Sequence, residues 1–591
     1  MCAMAGRAGW VPAGVHPTAV LHNVQMVSVL TGAIETLDIV LAGSRIAALW
    51  PVDTATSWPT IDGEGRYAVP GYIDAHLHIE SSFVTPAAFS QAVLVHGTTT
   101  CAADAHEIAN VLGYEGLVAF MDVAQDLPLD IRWMVPSSVP SVLGLETTGG
   151  RIDPSDVATL LQRPDVIGLG EVMDAYGIAH GDTRMLEILR VARDAGVIIE
   201  GHAPDVTDEA LTSLLWEGVS SDHSKSATAL LLKKLHLGMF LEFQAKTLRP
   251  ELIEALQQLP LMPPFALCTD DVSADVLADE GHLDRIGRLA VKAGLTPLQA
   301  LRAMTFDPAQ RLGLADRGVL APGRRADILL LDEISQFTPS LVMAGGKVVA
   351  QSGHLTALGE TLHDTAGRDT REARLNTLRH TVHLLSHQVD QSRFRWPAPT
   401  ASLPLTLRAL SVNRDDNTLQ EVAITATVVD GFVALPQGVA LLTVVDRYTG
   451  RAQQSFAPVV GLSLGTGAVA STYSHDAHNL TVLGTHAEDM ALAAAAVVAL
   501  DGGIVVVQNH RVTAKMALPL AGVVSADLLH EVVDQARCVR AALTAWGYRH
   551  ANPFMHISTM GLLVSPDIRL SDQGLIQVRT RQKVSSTMKN P

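Results

Sequence analysis

The chain has 591 residues, 48% of them hydrophobic, which is enough for about two to four domains with sizeable cores. Its formal net charge of −18 argues against nucleic acid or an anionic membrane surface as a major partner. The four cysteines form no C-x-x-C pair, which is typical of a reducing compartment and excludes a disulfide framework.

The N-terminal segment has no basic region followed by an apolar core, so the sequence predicts no signal peptide and a cytoplasmic protein. Short apolar segments separated by turns, from about Ala19 to Tyr67, predict small β-structure. From Gly71 onward, short strands alternate with helical segments. This alternation predicts an α/β fold with a parallel sheet, a TIM-like (β/α)8 barrel over residues 71–315.

Turn-rich strands return after the predicted barrel. We therefore expect residues 1–70 and 316–385 to form one small β-sandwich domain, built from both sides of the barrel. A charged and polar stretch near Thr365–Thr400 indicates a linker, and residues 400–591 mix strands and helices as a C-terminal α+β domain. The apolar run from Met490 to Leu500 is too short to span a bilayer and predicts a buried helix.

His76-Leu77-His78 is the first candidate for chemistry, because it stands at the carboxyl end of a predicted buried strand. Residues two apart on a strand point to the same face, so the two imidazoles can hold one metal ion. Other predicted strand ends carry Glu171, His202, His223 and Asp270. Together these six nitrogen or oxygen ligands are enough for two divalent cations of the zinc, manganese or iron kind.

Each of these residues also has an ordinary structural interpretation, such as an N-cap or a satisfied polar side chain. Their joint occurrence on the strand ends of one barrel favours a metal site. A bound cation lowers the pKa of its water from about 15.7 towards neutrality. Glu171 could bridge two metals, and Asp270 could move a proton to a leaving group, which is the chemistry of C–N or C–O hydrolysis.

His78-Ile79-Glu80 matches half of the cytidine-type zinc deaminase signature. The P-C-x-x-C partner of that signature is absent from the sequence, so this fold is rejected.

Longer motifs extend the pattern beyond the barrel. The stretches VPGYIDAHLHIESS, TTTCAADAHEIANVLG, CTDD and DEGHLD are followed by ASTYSHDAHNLTVLG, NPFMHIS and LSDQGLIQV. In these motifs the chain resembles the adenine deaminase family of the amidohydrolase superfamily, from about Ala19 to Val578.

The resemblance implies a binuclear centre, usually with manganese or iron and with zinc possible, where water attacks C6 of adenine to release ammonia and give hypoxanthine. Glu171 would bridge the metals in place of a carboxylated lysine, and Asp270 would also shuttle protons. The metal ligands carried over by motif are His76, His78, Glu171, His202, His223 and Asp270. The substrate-contact candidates are Glu80, Ser81, Ser82, Asp104, His106, Glu107, Asp271 and His282.

The resemblance also implies closure of the Ser474–Asn479 loop over the barrel mouth, with a polar turn as the alternative. The chain departs from the family pattern at His223-Ser224, after the fifth barrel strand, and at Gln244-Ala245-Lys246-Thr247. The departures leave open a modified 6-aminopurine as substrate and a non-catalytic homologue that retains metal. A cyclic amidase of the same superfamily is a further alternative, because it shares the barrel and the metals. We expect a homo-oligomer that acts on a small aminopurine, without nucleic acid or membrane partners.

Overall fold

The structure, a computed structural model, describes residues 3–52, 54–365, 368–399, 404–414 and 416–588. Its N-terminal flank contains β1 (Ala19–Val27), β2 (Ile34–Ala42), β3 (Arg45–Pro51), β4 (Thr60–Asp62) and β5 (Tyr67–Pro70). β1, β2 and β3 pair antiparallel in chain order, and β5 lies parallel to β1. Because side chains alternate along a strand, Leu37, Ile39 and Leu41 of β2 pack into one core and Val40 packs with Trp50 on the opposite face.

Parallel strands follow, each ending near the same rim. They are β6 (Tyr72–Leu77), β7 (Thr98–Asp104), β8 (Asp130–Val135), β9 (Val166–Val172), β10 (Ile198–Gly201), β11 (Ser221–Asp222), β12 (Phe240–Phe243) and β13 (Phe265–Leu267). The five strands from β6 to β10 form one hydrogen-bonded arc, and the three strands from β11 to β13 form another.

Backbone hydrogen bonds cross both seams between the two arcs. The Ser220 N–H donates to Ile199 O at 3.1 Å beside β10 and β11, and the Asp270 N–H donates to His76 O at 3.1 Å beside β13 and β6. This closed arrangement is a TIM-like barrel, as the alternating sequence pattern predicts.

Helices surround these strands. They are α1 (Pro86–Leu94), α2 (His106–Asp122), α3 (Pro154–Leu160), α4 (Ala175–Ala179), α5 (Thr183–Ala195), α6 (Asp208–Trp216), α7 (Thr228–His236), α8 (Pro250–Gln257), α9 (Ala274–Glu280), α10 (Leu283–Ala293), α11 (Pro297–Ala303) and α12 (Phe306–Arg311). α5 shows why they form where they do. Asp182 caps its N-terminus by accepting from the Met185 N–H, apolar residues such as Ile188 and Ala192 face the core, and Gly196 ends it with φ of 69°.

The second flank returns to the first sheet. It contains β14 (Ile328–Leu331), β15 (Pro339–Ala344), β16 (Lys347–Gln351) and β17 (His354–Leu355), followed by α13 (Ala357–Thr365) and α14 (Arg368–Thr377). β14 pairs antiparallel with β5, with Leu329 opposite Val69. The two flanks of the barrel therefore share one hydrogen-bonded sheet.

The stretch predicted as a linker is more ordered than its composition suggests. It contains α14 and two short 3-10 helices, Ser386–Val389 and Gln391–Phe394. α14 packs on α2, where Arg374 Nη1 lies 2.6 Å from Asp122 Oδ2. Val389 and Phe394 are buried in the C-terminal core. Residues 366, 367 and 400 of the predicted linker lie outside the described residues.

The C-terminal region is built around a mixed sheet. The strands of this sheet are β18 (Leu405–Val412), β19 (Leu419–Val429), β20 (Phe432–Ala434), β21 (Ala440–Val445), β22 (Gln454–Val460), β23 (Gly467–Ser471), β24 (Leu480–Gly484), β25 (Gly503–Gln508) and β26 (Arg511–Ala517). The region also has a separate antiparallel sheet of β27 (Ile568–Ser571), β28 (Gly574–Gln577) and β29 (Gln582–Val584). Its helices are α15 (Ala487–Ala499), α16 (Leu529–Trp546) and α17 (Pro553–Ser558).

α15 confirms the buried helix predicted near Met490, whose side chain packs in the core with Ala493 and Val497. None of the helices in the described part of the chain has both the length and the apolar character that a membrane span needs.

Candidate metal centre

The six predicted ligands all lie at the same rim of the barrel. His76 is on β6 and His78 follows it, Glu171 is on β9, and His202 comes directly after β10. His223 follows β11 and Asp270 follows β13. β11 is the sixth strand of the barrel, so the prediction that His223 follows the fifth strand is wrong. A two-residue strand is too short to give a clear sequence pattern.

The donor atoms of these residues converge around the Glu171 carboxylate. Glu171 Oε2 lies 3.1 Å from both His202 Nδ1 and His223 Nε2, and 4.0 Å from His76 Nε2. Glu171 Oε1 lies 3.6 Å from His78 Nε2. Oε2 therefore faces His76, His202 and His223, and Oε1 faces His78.

Two of the donor groups in the described part of the chain could each hold a metal ion. Ligand atoms of His76, His78 and Asp270 lie within 4.8 Å of one another, and so do those of a second group. The second group is Glu171, His202 and His223. His76 Nε2 and His78 Nε2 are 3.1 Å apart, and His202 Nδ1 and His223 Nε2 are 2.9 Å apart. Ligands held about 2.0–2.2 Å from a cation have this spacing, and nitrogen with oxygen donors suits zinc, manganese or iron.

Hydrogen bonds from neighbouring strands orient the ligands. His78 Nδ1 is 2.9 Å from Asp104 O, and Asp104 Oδ2 accepts from the Glu171 N–H at 2.9 Å. A Cβ atom at Gly170 would overlap Asp104 Oδ2, so the glycine permits this close approach. Gln244, one of the departures from the family pattern, donates from Nε2 to His223 O at 2.9 Å. Such contacts fix the orientation of a ligand before metal binds.

A buried ion pair, missed in the sequence, holds the loops that carry His202 and His223. Lys234 Nζ lies 2.6 Å from Asp222 Oδ2 and donates to Ala203 O at 2.7 Å, and both side chains are fully buried. Asp222 Oδ1 accepts from the Ala203 N–H at 3.0 Å and from Ser224 Oγ at 2.7 Å. Ser224, another departure from the family pattern, therefore joins this network.

The Asp270 carboxylate faces a lysine at the barrel mouth. Lys246 Nζ lies 3.3 Å from Asp270 Oδ2, and half of the Lys246 side chain is exposed. Burial would raise the pKa of Asp270, but the Lys246 ammonium and the neighbouring imidazoles of His78 and His223 hold it well below its usual range. Asp270 is therefore ionised at neutral pH.

Three of the predicted substrate-contact residues meet beside the metal donors. Ser81 Oγ lies 2.9 Å from Glu107 Oε1 and 2.5 Å from Asp271 Oδ1. Glu80 is buried nearby and accepts from the Ile108 N–H at 3.3 Å. Burial raises the pKa of Glu80 to about 7 and that of Glu107 to about 8.

The other candidates have different surroundings. His106 Nδ1 is 3.8 Å from Glu171 Oε1, and burial, together with His78, lowers the pKa of His106 to about 4. Ser82 Oγ donates to Ile79 O at 2.5 Å, and Asp104 supports the Glu171 backbone as described above. His282 Nδ1 lies 2.8 Å from Thr98 Oγ1, and its Nε2 lies 3.3 Å from Thr269 Oγ1 and 3.4 Å from Asp74 Oδ2. Contact of any of these residues with substrate stays a prediction.

The C-terminal domain also reaches this rim. Tyr473 OH donates to Ser81 Oγ at 2.8 Å, and His475 Nε2 lies 3.3 Å from Glu107 Oε1. Burial would lower the pKa of His475, but the facing carboxylates of Glu107 and Asp476 raise it to about 9. The sequence predicts that this loop approaches the barrel, but it gives no indication that Tyr473 contacts Ser81.

Family comparisons cover both the barrel and the C-terminal domain. The model described as "Amidohydrolase family" matches residues 67–349, and "Adenine deaminase C-terminal domain" matches residues 418–582. A protein of Clostridium perfringens named adenine deaminase is 37% identical over 536 residues, covering 90% of this chain and 92% of that protein. The chain belongs to the adenine deaminase family. A family member of Moorella thermoacetica, also named adenine deaminase, is 35% identical over 94% of this chain and 93% of its own length.

Among solved structures, L-hydantoinase (dihydropyrimidinase) from Arthrobacter aurescens is 16% identical with a TM-score of 0.43, covering 58% of this chain and 98% of that chain. Amidohydrolase family membership is consistent with the TIM-like barrel and with the use of divalent metal.

Proposed function

We propose that the chain hydrolyses adenine to hypoxanthine and ammonia, as purine salvage and adenine catabolism require. The observation that supports this most directly is the convergence of the predicted ligands on the Glu171 carboxylate, in a chain whose relatives are named adenine deaminase. Water adds to C6, and the exocyclic nitrogen leaves as ammonia.

The donor set would hold two divalent cations, with Mn²⁺ or Fe²⁺ expected and Zn²⁺ as the alternative. His76, His78 and Asp270 would hold one cation, His202 and His223 would hold the other, and the Glu171 carboxylate would be a ligand shared by both groups. When bound, the cations lower the pKa of water and polarise the reacting centre.

Asp270 acts as general base and then as general acid. Its ionised carboxylate accepts a proton from the attacking water and gives it to the departing amine. Water supplies one oxygen and two hydrogens, so adenine and water balance hypoxanthine and ammonia. Lys246 keeps Asp270 ionised before the proton arrives, because its ammonium lies 3.3 Å from the carboxylate.

Ammonia release from metal-loaded protein tests this function. Adenine should yield equimolar ammonia and hypoxanthine, and no ammonia from any 6-aminopurine would refute the proposal. A modified 6-aminopurine is the second candidate, because the half-exposed Lys246 at the mouth adds a cationic donor beside Asp270. A panel of N6-substituted adenines, compared by kcat/KM, distinguishes the two. Ring opening of a dihydropyrimidine without release of ammonia would instead indicate a cyclic amidase.

The remaining expectations are part of the same proposal. Residues 1–70 with 316–385 form a small β-sandwich, residues 71–315 the barrel, and residues 400–591 an α+β domain. The substrate contacts are Glu80, Ser81, Ser82, Asp104, His106, Glu107, Asp271 and His282. The protein acts in the cytoplasm as a homo-oligomer on a small aminopurine, without nucleic acid or membrane partners.

A further inference from the structure

The Ser474–Asn479 segment of the C-terminal domain lies against the barrel rim, beside the six predicted metal ligands. Its Asp476 Oδ1 is 3.8 Å from His106 Nε2, and the other nitrogen of the same ring is 3.8 Å from Glu171 Oε1. A single imidazole therefore separates this C-terminal carboxylate from the proposed bridging ligand. His475 lies alongside, with Nδ1 3.6 Å from Asp476 Oδ1 and Nε2 3.3 Å from Glu107 Oε1.

The segment is held in place by its own domain. The buried Arg447 donates from Nε to His478 O at 2.5 Å and from Nη2 to Ala521 O at 2.7 Å. The His475 N–H donates to Ser558 Oγ at 2.9 Å. Tyr448 OH donates to Ala477 O at 2.6 Å. Residues that are already ordered lose little conformational entropy when a ligand binds.

Several polar atoms in this cluster are buried and have no hydrogen-bond partner in the described part of the chain. They include His106 Nδ1, Glu107 Oε2 and Asp476 Oδ2, and His475 Nε2 has only its 3.3 Å contact with Glu107 Oε1; these side chains are at most 5% exposed. Burial of a polar group without a hydrogen-bond partner is energetically unfavourable. The concentration of such atoms from two domains, next to the reacting centre, indicates a polar ligand that supplies the missing partners.

The unpaired groups have the chemistry of a purine edge. An imidazole N–H of His475 is a donor, and the Asp476 carboxylate is an acceptor. When C6 of adenine is at the metal donors, the opposite edge of the base presents N3, an acceptor, and N9–H, a donor. This complementarity rests on the proposed deaminase function, which fixes the position of C6.

We infer that His475 and Asp476 of the C-terminal domain bind the purine edge opposite C6, with His475 donating to N3 and Asp476 accepting from N9–H. The C-terminal domain is then part of the substrate site and selects the free base. A substituent at N9 removes the donor and collides with Asp476.

Steady-state kinetics of the metal-loaded full chain test the assignment. His475→Gln and Asp476→Asn should each lower kcat/KM for adenine by about 10- to 100-fold, mainly through KM, because a hydrogen bond to a charged group is lost. Metal content should not change. His486→Gln is the matched control, since His486 is an exposed histidine of the same domain. It should behave as the unsubstituted protein does.

Substrate analogues distinguish direct contact with the base from a purely structural role of His475, because only direct contact makes the effect of the substitution depend on N3. The kcat/KM of the unsubstituted protein should be lower for 3-deazaadenine than for adenine, by a factor similar to the effect of the substitution. The kcat/KM of His475→Gln should be nearly the same for the two compounds. 9-Methyladenine should be rejected by the unsubstituted protein. Equal sensitivity of both proteins to loss of N3, or efficient deamination of 9-methyladenine, would overturn the inference. If His475→Gln does not fold, the comparison of 3-deazaadenine with 7-deazaadenine in the unsubstituted protein decides, because only the loss of N3 should matter.

Failure of the proposed function is distinguishable from failure of this inference. Calorimetric binding of adenine to the metal-loaded protein does not require turnover. Binding without ammonia release, weakened by His475→Gln, would refute the deaminase activity and support the contact. Turnover that His475→Gln and Asp476→Asn leave within twofold would refute the contact and support the activity.

Discussion

The buried Lys234–Asp222 pair offers a perturbation whose size follows from the structure. Lys234→Met removes an ammonium 2.6 Å from Asp222 Oδ2, in a place where neither side chain is exposed. Asp222 Oδ1 keeps its hydrogen bonds from Ala203 and Ser224, but Asp222 Oδ2 loses its hydrogen bond from Lys234 Nζ. Breaking one side of a buried ion pair costs about 3–5 kcal/mol.

Loss of the Lys234–Asp222 ion pair should displace His202 and His223, because the backbone connects them to this pair. Asp222 precedes His223, and its contact with the Ala203 N–H holds the residue after His202. We therefore expect metal affinity to fall by about 10- to 100-fold, as it does when supports of metal ligands are removed. The assay is metal content after equilibration against a series of metal-buffered chelator solutions, together with the unfolding temperature.

Lys233→Met is the matched control for this substitution. Lys233 is the neighbouring residue, and its Nζ lies 3.3 Å from Asp208, but both side chains are about half exposed or more. Surface pairs contribute about 0–1 kcal/mol, so this variant should bind metal normally. Lys234→Met with unchanged metal affinity and unfolding temperature would refute a supporting role for the pair.

Three further predictions follow from the site. Asp270→Asn should retain metal better than turnover, with kcat reduced by about 10²–10⁴-fold, and equal loss of both would contradict its role in proton transfer. Chelation should lower the unfolding temperature and Mn²⁺ should restore it, because ligand binding stabilises the folded state; an unchanged temperature would argue against a bound metal. The pKa of His475 is raised to about 9, so its proton-linked stabilisation is complete below its unfolded pKa of about 6.5 and is lost as pH rises through about 9. Between pH 7 and 10 the unfolding temperature should fall further in the unsubstituted protein than in His475→Gln, and parallel curves would contradict this.

The barrel and its donor set could be predicted because both depend on local patterns. Alternating strands and helices specify a parallel sheet, and the ends of such strands meet at one rim. His76 and His78 share a face because they are two residues apart on and just after a strand. Predictions of this kind need only the sequence within each strand, and the structure brings all six donors together.

Other features depend on contacts between distant segments. Tyr473 meets Ser81 across nearly four hundred residues, so no local pattern indicates their contact. Lys234 lies among charged residues of α7 and has the sequence appearance of a surface side chain, yet it is three residues from the buried Leu231 on the inner face of the helix. That spacing is the one signal that could have identified it. The polar residues of α14 predict a linker, because the contact of this helix with α2 is tertiary and leaves no local pattern.

The pairing of β5 with β14 has a consequence for synthesis on the ribosome. About 260 residues separate the two strands, and at roughly 5–20 residues per second their synthesis takes on the order of tens of seconds. During that time the edge of β5 has no antiparallel partner, although Val69 and its neighbours are apolar. Exposed edges of this kind associate with other chains. The nascent protein therefore has an interval of vulnerability to aggregation that closes only when Ile328–Leu331 leaves the exit tunnel.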